Sequence, residues 1–345
     1  MSHNKIFVIL GMHRSGTSAI ARALKVFDIE LGQNLMPAFE GVNEKGFWED
    51  LDIYKLNEEM LSFLDCSWDS LKNITELDIQ SLVDHGYLDK AVELLQEKIS
   101  KSISGKFGFK DPRVTKLFGF WNIALSQVDA SIYYVFAVRN PINVSESLRK
   151  RDFMSKEKSL HLWLEYVKTP FFYLKEENEN NFIFVDYELL MSNPLAIIND
   201  IEVKFNLIKN ESDLNYYTNH FLSKDLKHHD MDMKGLSEFI PSYLLDYYSH
   251  LNNNNKVVDL IKKTEESELN SAYKEYYPFF DYSNENYRED VSKFDDLRIE
   301  YENLKNKADL IASENKLIKN SRTFRLVRFI SKVLGREIAE NDFDR

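Results

Sequence analysis

The stretch IFVILGMHRSGTSAIARALKVF, Ile6 to Phe27, decides the fold. Its first five residues form a short, apolar, largely β-branched run, the pattern of a strand buried on both faces. From Ser18 onward, Ile20, Leu24 and Phe27 recur at helical spacing. Between strand and helix lies GMHRSGTS, Gly11 to Ser18, which fits G-x-x-x-x-G-K-[S/T] at every fixed position except the lysine, where Thr17 stands. Backbone N–H groups of a glycine loop entering a helix form an anion nest, and the helix dipole adds to it, so the loop implies a phosphate or sulfate ligand. The missing lysine is the group that a nucleotide triphosphatase sets on its β/γ-phosphates.

The rest of the chain supports a globular reading. Its 345 residues, 43% hydrophobic, are enough for one large domain or a domain with appendages. A formal net charge of −12 argues against broad electrostatic binding of nucleic acid, so an anionic ligand must meet local positive charge. The single cysteine, Cys66, has no intrachain partner and reads as a small buried hydrophobe. No uninterrupted apolar run approaches the ~18 residues of a membrane span, which points to a cytoplasmic protein.

A second apolar run, IYYVFAV at Ile132 to Val138, ends at Arg139-Asn140-Pro141, where Asn140 suits a helix cap and Pro141 the first helical position. A third, FIFVDYE from Phe182, precedes ELLMSNP. Strands alternating with helices predict an α/β fold, a P-loop NTPase-like parallel sheet flanked by helices. The aromatic stretches GFWED, HLWLEYVKTPFFYL and PSYLLDYYSHL read as core and lid helices, and Asn252 to Asn255 as a turn between helices.

Past residue 285 the character changes. Phe294, Tyr301, Ala308 and Asn315 share one heptad position, and Leu297, Leu304, Ile311 and Ile318 another, predicting a coiled-coil helix within 286–320. Self-association through that seam and a single helix packed on the domain are both compatible with it. Residues 321–345 follow, in which Ser321 to Arg336 carries Arg322, Arg325, Arg328, Lys332 and Arg336 among apolar residues and no acid. Such a basic amphipathic helix suits peripheral contact with an anionic membrane surface, or docking on an acidic protein face.

The chemistry gathers in a second constellation, RNPINVSESLRKR. Arg139 stands at a strand end, and Ser147 lies two turns into the next helix. A guanidinium with a nearby hydroxyl at a helix start makes a second phosphate site, so the two motifs together imply a ligand with two separate phosphate groups. No acidic residue follows the strand ending at Val138, which disfavours magnesium chemistry.

With these residues the sequence resembles the sulfotransferases that use 3′-phosphoadenosine 5′-phosphosulfate (PAPS). GMHRSGTS is similar to their 5′-phosphosulfate loop, and RNPINVSESL to their 3′-phosphate motif. FGFKDPR, from Phe107, resembles the lysine-bearing segment of the tyrosylprotein branch, and VDYELLMSNP, from Val185, the segment after the sheet. The block from Gly41, GVNEKGFWEDLDIYKLNEEML, looks like that of bacterial members. The likeness spans Lys5 to Pro194, with the family's order of motifs.

The resemblance implies that Gly11, His13, Arg14, Ser15, Gly16, Thr17 and Ser18 hold the 5′-phosphosulfate, Arg139 and Ser147 the 3′-phosphate, and that Lys110 stabilises the sulfuryl group or leaving phosphate. Cytosolic members carry a lysine early in the loop where this chain has His13-Arg14, a departure that places it nearer the carbohydrate and tyrosylprotein branches and makes His13 an extra contact. A glutamate between the first helix and the KDP segment is the implied general base. Glu40, Glu44, Glu49 and Glu58 fall there, and Glu49 is favoured because Phe47 and Trp48 offer an apolar wall that raises its pKa. Glu44 and Asp111 come next. The implied partners are PAPS and a hydroxyl acceptor, a saccharide by analogy with the bacterial motifs, with no metal. In the run Asp225 to Gly235, Lys227, His228 and Lys234 read as substrate contacts, and His228, His229 and Asp232 as weak metal candidates. A P-loop kinase and a non-catalytic scaffold are the rival readings.

Overall fold

A computed structural model describes residues 4–38, 46–222, 242–254 and 256–265. The expectations for 286–320 and 321–345, the candidates Glu40 and Glu44, and the run 225–235 lie outside these residues.

Four parallel strands form one sheet in the order β2-β1-β3-β4. They are β1 (Lys5–Leu10), β2 (Lys106–Lys110), β3 (Ser131–Val138) and β4 (Phe182–Asp186). The α/β expectation holds. β2 is an addition, since KFGFK carries a lysine at each end and a central glycine and shows no apolar run. It is a strand because Phe107 and Phe109 pair in register with Ile6 and Val8. Its outer edge is covered by backbone bonds between Glu30 and both Lys106 and Gly108. Gly108 is required there, because a Cβ would lie 2.8 Å from the Ile29 side chain.

The pleat sorts side chains by parity. Phe7, Ile9, Val135, Ala137 and Val185 face α1 (Thr17–Leu24) and α10 (Pro194–Phe205), and join a core with Ile20, Leu24, Ile198 and Ile201. On the opposite face Tyr134 and Phe136 meet Phe118, Phe171 and Phe182 in an aromatic layer. There α8 (Lys156–Lys168) buries Trp163 and Tyr166, as the sequence pattern predicts for a core helix.

Each strand's carboxyl end turns directly into a helix. Gly16 precedes α1, and Asp111, Asn140 and Asp186 accept N-cap bonds from α5 (Pro112–Lys116), α7 (Pro141–Asp152) and α9 (Tyr187–Ser192). The chain passes from β1 to β2 on one side and then to β3 on the other. Four loops therefore crowd the crevice where the strand order reverses, the place where open α/β sheets bind ligands.

Four expectations are corrected. GFWED is not a helix: residues 46–49 are irregular and Asp50 caps the helix that follows, its side chain accepting from the Asp52 and Ile53 N–H groups. Asn252 to Asn254 belong to the helix Ser242–Asn254 and not to a turn, and the next helix starts at Val257. Cys66 is half-buried instead of buried, because it sits in the turn after α2 (Leu51–Phe63). Trp48, expected to wall Glu49, packs against Phe221 instead, with Arg22 and Lys25 over its ring. Its backbone φ of +59° lies in the left-handed region. Among the described residues no helix is long and apolar enough to cross a membrane.

Candidate active site

The glycine loop leaves β1 through Gly11 and enters α1 through Gly16, with Arg14 between them also at positive φ. Gly16 has φ +85°, and a Cβ there would fall 2.1 Å from the Tyr187 ring, so only glycine fits. Gly11 is clamped by Thr115, whose hydroxyl accepts from the Gly11 N–H at 2.9 Å and donates to its carbonyl at 3.3 Å. Ser15 and Thr17 are buried, and the Ser18 hydroxyl donates to the Phe47 carbonyl at 3.1 Å. That bond ties the loop to the segment carrying Glu49.

The two predicted anion motifs meet here. Arg14 Nε donates to Ser147 Oγ at 2.8 Å, joining residues 133 positions apart. Arg139 Nη1 donates to the Arg14 carbonyl at 2.7 Å. The Arg139 guanidinium lies 4.4 Å over the Tyr187 ring, the same ring that covers Gly16. Its Nε is buried without a hydrogen-bond partner, 3.6 Å from Glu188 Oε1, and Glu188 Oε2 is also unpartnered. Burial lowers the pKa of Arg14, and Arg151 and Arg139 lower it further. Such crowding of like charges is relieved by an anion.

Opposite the loop, Lys110 at the end of β2 donates to Glu49 Oε1 at 2.5 Å. Both side chains are buried, at 3% and 6% exposure. Burial pushes the Glu49 carboxyl above its ordinary range against the pull of Lys110, and nearby Asp111 adds to the rise. Asp111 is spent on structure: Oδ1 accepts from the Arg113 N–H and Nη1, and Oδ2 from Asn57 Nδ2 at 2.9 Å. Most of its acceptor positions are thus engaged within the protein. Glu58 pairs with Arg113 Nε and is half-exposed. Among the described residues no group of three or more His, Cys, Asp or Glu is arranged to hold a metal.

His13 packs against Trp68 at a tilt of 50° with centroids 4.3 Å apart, and its Nε2 is buried without a partner. Burial, with Arg113, Arg151, Lys110 and Arg14 around it, holds its pKa well below the ordinary imidazole range, so the ring is neutral. Three residues at the site were not singled out from sequence. Arg113 links Asp111, Glu58 and Glu49, Thr115 clamps the loop, and Tyr187 roofs Gly16. Arg113 and Tyr187 stand inside the quoted motifs, but only packing shows what they touch.

No family model matches the chain, and no curated relative does. Among solved structures it is similar to the sulfotransferase domain of the Synechococcus PCC 7002 olefin synthase, at 16% identity over 76% of this chain and 94% of that one, with a TM-score of 0.42. It is also similar to the sulfotransferase STF9 of Mycobacterium avium, at 15% identity over 74% and 78% of the two chains, with a TM-score of 0.43.

Proposed function

We propose that the protein is a sulfotransferase, moving a sulfuryl group from PAPS to a hydroxyl, with a saccharide or glycan precursor as the acceptor. The observation that carries this reading is the junction of Arg14, Ser147 and Arg139 in the glycine loop, with Arg14 and Lys110 of the buried Glu49–Lys110 pair both acting on His13 of the same loop. A donor with phosphate at each end suits two anion sites held together. The loop amides and Arg14 take the 5′-phosphosulfate, and Arg139 and Ser147 the 3′-phosphate.

In this mechanism Glu49 accepts the acceptor's hydroxyl proton. The hydroxyl oxygen then bonds to sulfur as the bond from sulfur to the phosphate oxygen breaks. The electron pair leaves on adenosine 3′,5′-bisphosphate, where Lys110 and Arg14 meet the developing charge. The pairing of Glu49 with Lys110 gives this order a physical basis. An incoming phosphosulfate competes for the Lys110 ammonium, and the Glu49 carboxylate it releases sits in a buried site that favours taking up a proton. The saccharide acceptor rests on the resemblance of the bacterial motifs.

The test is a thermal-shift panel followed by transfer of labelled sulfate. Adenosine 3′,5′-bisphosphate should raise the melting temperature and ATP with magnesium should not. Transfer from PAPS to surface-glycan sugars should be lost in Glu49→Gln and Lys110→Ala. A chain that neither nucleotide stabilises, or one that transfers phosphate from ATP, refutes the proposal.

A further inference from the structure

A second cleft, of about 580 Å³, lies on the flank of α1 and uses none of the residues placed in the reaction. Arg22 and Lys25 form one wall and Trp48 another, with Asp213, Tyr216 and Phe221 closing it. Arg22 is 5% exposed, and its Nη2 donates to Asp213 Oδ1 at 3.2 Å. Its guanidinium stands 5.0 Å from the Tyr216 ring and 5.9 Å from those of Trp48 and Phe221.

Two donors on these walls are unsatisfied. Arg22 Nη1 and Trp48 Nε1 are both buried without a hydrogen-bond partner. Buried N–H groups are nearly always paired, and two orphans on residues that line one cleft point to acceptor oxygens reaching them from it. The backbone adds an independent sign. Trp48 has φ +59°, an uncommon conformation for a bulky side chain, and it lines the cleft. Among the described residues that line it, two cations, Arg22 and Lys25, stand against one carboxylate, Asp213, so the cleft favours an anion. Its volume falls within the ~300–1,000 Å³ of small-molecule pockets and exceeds what an inorganic ion fills. Trp48 and Phe221 meet at 71° with centroids 6.1 Å apart, forming an aromatic corner for a flat body.

We propose that this cleft binds a ring-bearing carboxylate, whose oxygens accept from Arg22 Nη1 and Trp48 Nε1 while its ring lies against the aromatic walls. Sugar acids and aromatic acids share this chemistry. The inference does not depend on the sulfotransferase reading.

Isothermal titration of the full chain tests it, with glucuronate, benzoate, methyl glucoside, sulfate and adenosine 3′,5′-bisphosphate as separate probes. One or both acids should bind at one site per chain, while methyl glucoside and sulfate bind more weakly by at least about tenfold. Trp48→Phe keeps a ring and removes the N–H, and should weaken the acid about tenfold. Lys25→Met, a change at a half-buried side chain, should weaken it as well and serves if Trp48→Phe fails to fold by circular dichroism. Failure of both acids to bind overturns the proposal, as does binding unchanged by the folded variants. Competition by adenosine 3′,5′-bisphosphate also overturns it, because the cleft then belongs to the nucleotide.

Discussion

Replacing Lys110 by Met tests the Glu49–Lys110 pair most directly, since methionine keeps most of the length of the side chain and removes its ammonium. The two groups are 2.5 Å apart and nearly inaccessible, so the variant leaves a carboxylate in a site already shifted toward the protonated form. Removing one partner of a buried ion pair costs about 3–5 kcal/mol when the other must stay charged. Glu49 avoids part of that cost by binding a proton. Its folded pKa is already above the unfolded one, so it lowers stability as pH rises from the ordinary carboxylate range toward the folded value. Losing Lys110 raises the folded pKa further. Between the two folded values the variant holds a proton that the wild type has released, and the stability gap widens by up to about 1.4 kcal/mol per pH unit. Below that window both proteins are protonated at Glu49 and the gap narrows. Urea unfolding from pH 5 to pH 8 measures this, and adding Glu49→Gln to the variant should abolish the pH-dependent part. A gap that is equal at both ends of the range, or unchanged by the second substitution, refutes the coupling.

Three further predictions follow from the site. Gly16→Ala meets the Tyr187 ring and a φ of +85°, so it should cost at least the ~1–2 kcal/mol of a left-handed alanine and abolish stabilisation by adenosine 3′,5′-bisphosphate in calorimetry. Arg139→Lys keeps a charge but loses both the planar contact with Tyr187 and the bond to the Arg14 carbonyl, and should weaken that nucleotide about tenfold or more in direct titration. Asn57, fully buried between Asp111 and the Trp121 indole, should cost about 1–3 kcal/mol in urea unfolding when changed to Leu, because Asp111 Oδ2 and the indole N–H then lose their partner.

Much of the fold was readable because its signals are local. IFVIL and IYYVFAV are apolar enough to name buried strands, and Asn140-Pro141 names the start of α7 by its cap and fixed φ. β2 was hidden, since a lysine-ended, glycine-centred pentapeptide becomes a strand only when β1 supplies the register. The choice among the acids behaved in the same way. Glu49, Glu58 and Asp111 are chemically alike in sequence, and their surroundings separate them: Asp111 is taken by a cap and Asn57, Glu58 is half-exposed, and Glu49 is sealed against Lys110.

The sequence by itself determined the strand-loop-helix unit, the second strand with its arginine, and the residue types of the two proposed anion sites, because these depend on hydrophobic period, caps and glycine torsions within a few residues. Only the tertiary structure decided that Arg14 meets Ser147 across 133 positions, that Tyr187 roofs Gly16, and that Trp48 turns away from Glu49 into a separate cleft. Those outcomes come from the parallel sheet, which brings distant strand ends into one crevice.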